Sequence, residues 1–247
     1  MNLEHAHCTH VGRRANNEDS LLAEPALGLF AVADGVGGYE GGEVASALVV
    51  ASLREFFSRQ VADPDSTWPF AADSTRTLSE NLLGVGVRLA HREISTHREG
   101  KLASMASTVA AVYLTGETAV IGHCGDSRVY RLRQGKLEQL TSDHSLYAQM
   151  QAKGVPDLPP PELYPFKNIV TRVLGVEDGL ADLRSEPLLP GDVFLLCSDG
   201  LADPVDSATL CALLDREPPE IACPHLVQEA YARGGKDNIT AVVIRVH

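Results

Sequence analysis

Five short segments place carboxylates beside glycine or in small polar clusters rather than along a helix face. They hold Glu18 and Asp19 (RRANNED), Asp34 (ADGVGG), Asp126 (CGDSR), Asp199 and Asp203 (SDGLAD) and Asp237 (GGKDN). Asp34 and Asp199 end apolar, strand-like runs, in GLFAVADGVGG (28–38) and VFLLCSDGLAD (193–203). A carboxylate at the mouth of a buried strand is costly unless positive charge compensates it. Glycine beside it lets backbone come close to a ligand and lets the acid sit on a tight turn. Magnesium and manganese are hard cations that take carboxylates, backbone carbonyls and water. No His-x-x-x-His or cysteine pairing points to zinc instead. Arg14, three residues before Asn17, adds the planar fork suited to gripping phosphate. Several acids with one arginine are what two-metal hydrolysis of a phosphate ester needs. Taken singly, each segment has a plainer reading, since Asp-Gly is usually a turn and an acidic cluster is usually surface. The ordered set favours chemistry.

These acids need elements to hold them. Residues 43–57 read as a helix with Val49, Leu53 and Phe56 on one face. A second helix carries Leu78, Leu82, Val85 and Leu89, weakened locally by Gly84 and Gly86. Between them, residues 63–73, with two prolines and the only tryptophan, read as a loop. From Ser107 the pattern becomes successive short strands with turns at Gly116 and Gly135. Five prolines between Pro156 and Pro165 mark an irregular segment, either a plain surface loop or a lid at about 148–167. PGDVFLLCSDG is a turn feeding a buried strand. Short helices are expected near 210–214 and over 224–233, the second with proline in its first turn and Gly234 past its end. ITAVVIRV is a closing strand. Paired helices between groups of hairpin-linked strands predict an α+β fold, antiparallel sheets covered by helices, in a single domain over 1–247.

In this order GRRANNED, VADGVGG, STVAAVYL, GHCGDSRVYRL, LTSDHS, NIVTRVLG, PGDVFLLCSDGL and GGKDNITAVVI span residues 12–244. The set resembles the metal-dependent protein phosphatases, the type 2C (PPM) serine/threonine phosphatases, and its compact length resembles their bacterial branch. The resemblance implies a four-layer α-β-β-α sandwich with metals at one end of two packed sheets. It implies that Asp34 bridges two Mn2+ or Mg2+ ions, that the Gly35 carbonyl binds one, and that Asp199 and Asp237 complete the first. Glu18 would hold coordinated water, Asp19 would support from behind, and Arg14 would bind the substrate phosphate. A third, weaker ion would use Asp126, Asp199 and Asp203, although Asp203 also reads as a helix N-terminal aspartate. The implied reaction is hydrolysis of phosphoserine or phosphothreonine by in-line attack of a water bridging the two ions. Some members carry histidine after the Asp-Gly, where this chain has Val36. His144 is the nearest substitute acid in sequence, against a structural reading in its turn.

Composition narrows the rest. A formal net charge of -12 argues against general nucleic-acid binding. There is no apolar run of membrane-helix length and no secretory signal, and five cysteines without a CxxC pair fit reduced thiols in the cytoplasm. His5, His7, Cys8 and His10 read as a soft-metal cluster or as alternating residues of a first strand. Expected partners are phosphorylated proteins, a serine/threonine kinase among them, for a monomeric enzyme. The rivals are a catalytically inactive relative that binds phosphoproteins or metals, although no metal acid or the arginine is missing, and a phosphatase for another phosphoester.

Overall fold

Alternation along the strands decides the architecture. The computed structural model describes residues 2–36, 41–176 and 179–247, the side chain of Glu162 excepted; Gly37 and Gly38 of VADGVGG lie outside these residues. In β3 (Leu29–Val36), Leu29, Ala31 and Ala33 join one apolar cluster while Phe30 and Val32 join another. In β11 (Ile239–Val246), Ile239, Ala241 and Val243 enter a third cluster while Val242, Ile244 and Val246 enter the same one as Phe30. Because side chains alternate across a strand, each sheet therefore has two buried faces. One face of each meets the other sheet and the remaining face is covered by helices.

The first sheet runs β1 (Leu3–His10), β11, β10 (Val193–Cys197), β7 (Arg128–Arg133), β8 (Lys136–Gln139). The second runs β2 (Asp19–Glu24), β3, β5 (Val109–Thr115), β6 (Thr118–Cys124), β9 (Asp182–Pro187), with β4 (Ala106–Ser107) paired to β3. All these pairings are antiparallel. Helices α1 (Gly42–Ala62) and α2 (Leu78–His97) cover the second sheet, packing Val49, Leu53, Phe57, Leu83 and Ile94 onto Ala31, Ala111 and Val120. On the first sheet lie the short α4 (Asp199–Ala202), α5 (Ser207–Arg216) and α6 (Pro219–Ala232). The expected four-layer α-β-β-α sandwich is the observed one.

Two helix boundaries differ from expectation. α1 runs to Ala62 rather than ending at Phe57. α6 starts at Pro219, so Pro224 lies inside it rather than in its first turn. Pro218 and Pro219 hold the entry in the geometry helices start from, and Pro224, five residues further on, costs the helix interior one backbone donor. The proline-rich 148–167 segment carries regular structure in two places: α3 (Leu146–Ala152), N-capped by Ser145, leads into it, and Pro161–Leu163 forms a 3-10 turn.

Candidate active site

The strand ends that carry the acids gather at one end of the sandwich. β3 closes on Asp34 to Val36, β10 ends just before Ser198 and Asp199, and β6 ends just before Gly125 and Asp126. At the same end β2 opens at Asp19, after Glu18, and β11 opens after Asp237 and Asn238. Register sets Asp19 opposite Asp34. Ser198 links the sheets, donating from Oγ to Asp19 Oδ2 (2.8 Å) while its N–H donates to the Thr240 carbonyl (3.1 Å). A cavity of about 430 Å³ results, lined by Arg14, Glu18, Asp34, Gly35, Asp126, Asp199 and Asp237. Asp19 is buried behind that lining. Asp203 faces a second cavity of about 700 Å³ that shares Asp126, Asn168 and Asp199 with the first.

The glycines act by leaving space. A Cβ on Gly35 would collide with the Gly42 carbonyl, and one on Gly42 would run into the Glu18 carboxylate. Glycine is therefore required for β3 and the start of α1 to close around Glu18. The Asp34 backbone is fixed on both sides: its N–H donates to Thr108 Oγ1 (3.0 Å) and its carbonyl accepts from the Thr108 N–H (2.8 Å).

Electrostatically the site is strained toward negative charge. Burial, with the Asp19, Asp199 and Asp126 carboxylates nearby, raises Asp34 well above the usual carboxylate range. Burial, with Asp126 and Asp203, does the same to Asp199. Burial lifts Asp19 to about 6 against hydrogen bonds from Thr240 and Ser198, and lifts Asp126 to about 6 with Asp143 adding to it. Asp19 Oδ1 and Asp199 Oδ1 are buried without a hydrogen-bond partner. Buried acceptors of this kind normally find a donor, and carboxylates crowded together need a cation. The donors are all oxygen, which suits Mg2+ or Mn2+. This structure fits such ions on its own residues.

Arg14 sits at the rim, its Nη2 donating to Asp237 Oδ2 at 2.7 Å, and Asp237 holds it above its usual value. More than half of the Arg14 side chain remains exposed, so the fork is open to a ligand. Val36, 42% exposed, also lines the cavity. His144 does not line it. Its Nδ1 accepts from the Gly125 N–H (3.0 Å), its Nε2 faces Asp182 (3.2 Å), and Arg172 packs against the ring, so it is a structural histidine of the turn.

Of the two readings of Asp203, the helix N-terminal one does not hold. Asp203 is the C-cap of α4, whose first residue is Asp199, so it does not offset a helix N-terminus. Its carboxylate instead meets Lys167 Nζ at 2.7 Å and Arg128 at 3.7 Å. His5, His7, Cys8 and His10 lie along β1, with His5 edge-on to Phe30 and His10 edge-on to Tyr231. Among the described residues, only His123, His144 and Asp182 bring three metal-type donor atoms within 4.8 Å of one another. The cavity's acids are thus spread more widely than a single-ion cage would be.

Asn238 was not singled out by the sequence reading, yet it assembles the rim. Its Nδ2 donates to the carbonyls of Val11 and Asn16 (2.9 Å each), and its Oδ1 accepts from the Glu18 N–H (2.8 Å). Its place beside Asp237 in GGKDN was the only available signal. Asn168 and Val170, from NIVTRVLG, line the cavity from the far side, a placement no local pattern announces.

The family model for protein phosphatase 2C matches residues 8–217. The chain belongs to the protein phosphatase 2C family. It is 33% identical over 235 residues to the serine/threonine protein phosphatase PstP of Mycobacterium tuberculosis, covering 94% of this chain but spanning only 43% of that protein's length. It is 32% identical over 248 residues to the serine/threonine phosphatase stp of Listeria innocua, covering 96% of this chain and 93% of that one. A crystal structure of the PstP catalytic domain in complex with two manganese ions superposes with a TM-score of 0.82 at 33% identity, covering 99% of this chain and 98% of that one. The phosphatase 2C family thus accounts for the sandwich.

Proposed function

We propose that this chain is a metal-dependent protein serine/threonine phosphatase. The observation that carries the reading is the cavity floor, where buried acids with orphaned oxygens lie beneath an exposed arginine fork. Asp34, the Gly35 carbonyl, Asp199 and Asp237 would hold two Mn2+ or Mg2+ ions, with Glu18 and Asp19 supporting them; Asp126, Asp199 and Asp203 would hold a third. The PstP structure with two manganese ions supports that number of tight ions. When bound, such ions polarise phosphoryl oxygens and make coordinated water acidic.

The chain's own residues supply binding and order. Arg14 would turn from Asp237 to the incoming phosphate, giving a bidentate, charge-assisted contact that fixes phosphorus over the acids. Ser198 and Thr108 hold Asp19 and the Asp34 backbone, so the floor is organised before substrate arrives. Val36 leaves the rim without an ionisable group at that position, and the buried His144 does not replace it. We read 1–247 as a single phosphatase domain with 148–167 as its lid, monomeric, acting on phosphorylated proteins and an opposing serine/threonine kinase in bacterial signalling. No helix among the described residues is long and apolar enough to cross a membrane, and the five free cysteines support a cytoplasmic location. Phosphothreonine-peptide hydrolysis in Mn2+, with and without chelator, tests the reading. An inactive relative would bind the peptide without releasing phosphate.

A further inference from the structure

Gly125 turns the chain out of β6 and delivers Asp126 to the cavity, and two histidines grip it from both sides. Its N–H donates to His144 Nδ1 (3.0 Å), while its carbonyl accepts from His123 Nε2 (2.9 Å) and from the His144 N–H (2.8 Å). Both peptide units that lead into Asp126 are thus held by these two residues. Gly125 has φ +112°, and a Cβ there would strike the Thr108 side chain, so the turn has no side chain of its own to fix it. The contacts assign the protons. His144 Nδ1 must be bare to accept, so Nε2 carries the hydrogen and points it at Asp182 Oδ2 (3.2 Å). His123 Nε2 must carry a hydrogen to donate to the carbonyl. Burial, with His144 beside it, holds His123 down to about 3, and burial lowers His144 as well, so both rings are neutral near pH 7. The two rings and Asp182 stand close enough for a metal, but a protein cation is already there. Arg172 Nη1 meets Asp182 Oδ1 at 2.9 Å, and its Nη2 lies against His144 Nε2.

We propose that His123 and His144 are positioning residues for Asp126, each ring in its Nε2–H form setting where that carboxylate stands beside Asp199. Neither ring lines either cavity, so neither touches ion or substrate, and each acts through the Gly125 peptide units. Groups that orient a ligand from behind are worth a large part of metal affinity, although they never meet the metal. The tight pair is spared, because the Asp34 backbone takes its contacts from Thr108 instead. The inference rests on the reading of Asp126 as a ligand of the third, weaker ion.

Calorimetric titration of Mn2+ into the metal-stripped protein tests it without an activity assay, with Asp126→Ala losing the weaker site and so identifying it. Asparagine puts its amide oxygen where Nδ1 stands, and glutamine puts its amide nitrogen where Nε2 stands, so the two histidines should answer oppositely. His144→Asn should keep the weaker site, and His144→Gln should weaken it about ten-fold. His123→Gln should keep it, and His123→Asn should weaken it only about three-fold, because the His144 N–H still donates to the same carbonyl. Tight binding should be unchanged in all of these variants. Nitrogen NMR of the imidazoles in the unsubstituted protein should show the hydrogen on Nε2 of both rings, a readout that needs no variant to fold. Weak-site affinity equal to that of the unsubstituted protein in every histidine variant overturns the proposal. So do losses that follow the metal-free melting temperature without the crossed pattern, a hydrogen on His144 Nδ1, or tight binding with no weaker site. Each of these leaves the tight pair standing, whereas absence of any Mn2+ binding overturns both readings.

Discussion

At the scale of single residues, the acids do not have equal roles. Asp34, Asp199 and Asp237 line the same cavity, and burial with neighbouring carboxylates raises Asp34 and Asp199. Asp34→Asn, Asp199→Asn and Asp237→Asn should each lower turnover by roughly 10³-fold, comparable to or beyond the loss of one strong preorganised contact. The circular-dichroism spectrum in metal-free buffer should remain folded, because each change removes a repelling charge; a lost spectrum would reassign that acid to folding. Arg14 acts differently. Arg14→Ala should mainly raise KM for phosphoprotein substrates, with a smaller fall in kcat from misplaced phosphorus. Steady-state kinetics over a range of substrate concentrations check this, and unchanged KM would remove Arg14 from the site.

At the scale of elements, the turns leaving β6 and β10 bring Asp126 and Asp203 beside Asp199. Asp126→Ala and Asp203→Ala should keep the tight ion pair yet lose turnover on phosphopeptides more than on an activated aryl phosphate. An aryl leaving group needs no proton, whereas a serine or threonine alkoxide does, and Val36 offers none. Equal small losses on both substrates, with a lowered melting temperature, would make these two acids structural. This scale also shows what the sequence made legible. Apolar runs ended by Asp-Gly identified β3 and β10 because burial on both faces writes a continuous apolar string. The start of α6 was misread because Pro224 carries the usual mark of a first turn, while Pro219 carries the same mark five residues earlier. The contact of Asp203 with Lys167 was not legible, because it joins residues 36 apart in the chain and no local pattern encodes it. Asn238 escaped for the same reason, since its partners Val11, Asn16 and Glu18 come from the other end of the chain.

At the scale of the molecule, the acid cluster makes stability depend on metal and pH together. Asp19 and Asp126 titrate near 6 in the fold, above their unfolded values, so the metal-free folded state binds more protons between about 4 and about 6. Their contribution therefore falls as pH rises through that window, by on the order of 2 kcal/mol each once both are ionised. His123 works in the opposite sense. Burial beside His144 holds it down to about 3, so its stability contribution is present above about 6.5 and lost as pH falls toward 3. Because His123 lies outside the cavity lining, its term cancels in the difference between loaded and metal-free protein. The Mn2+-induced rise in melting temperature should accordingly be small at pH 5 and large at pH 7.5, because loading displaces the protons. Calorimetric melts at the two pH values check this, and a metal effect independent of pH would mean the acids do not hold the ions.

The most direct measurement compares phosphate release from a phosphothreonine peptide and a phosphotyrosine peptide, each in Mn2+, Mg2+, Zn2+ and excess chelator. The account predicts release from the phosphothreonine peptide only, with Mn2+ or Mg2+, and none in chelator. Full activity in excess chelator, or activity with Zn2+ alone, would contradict it.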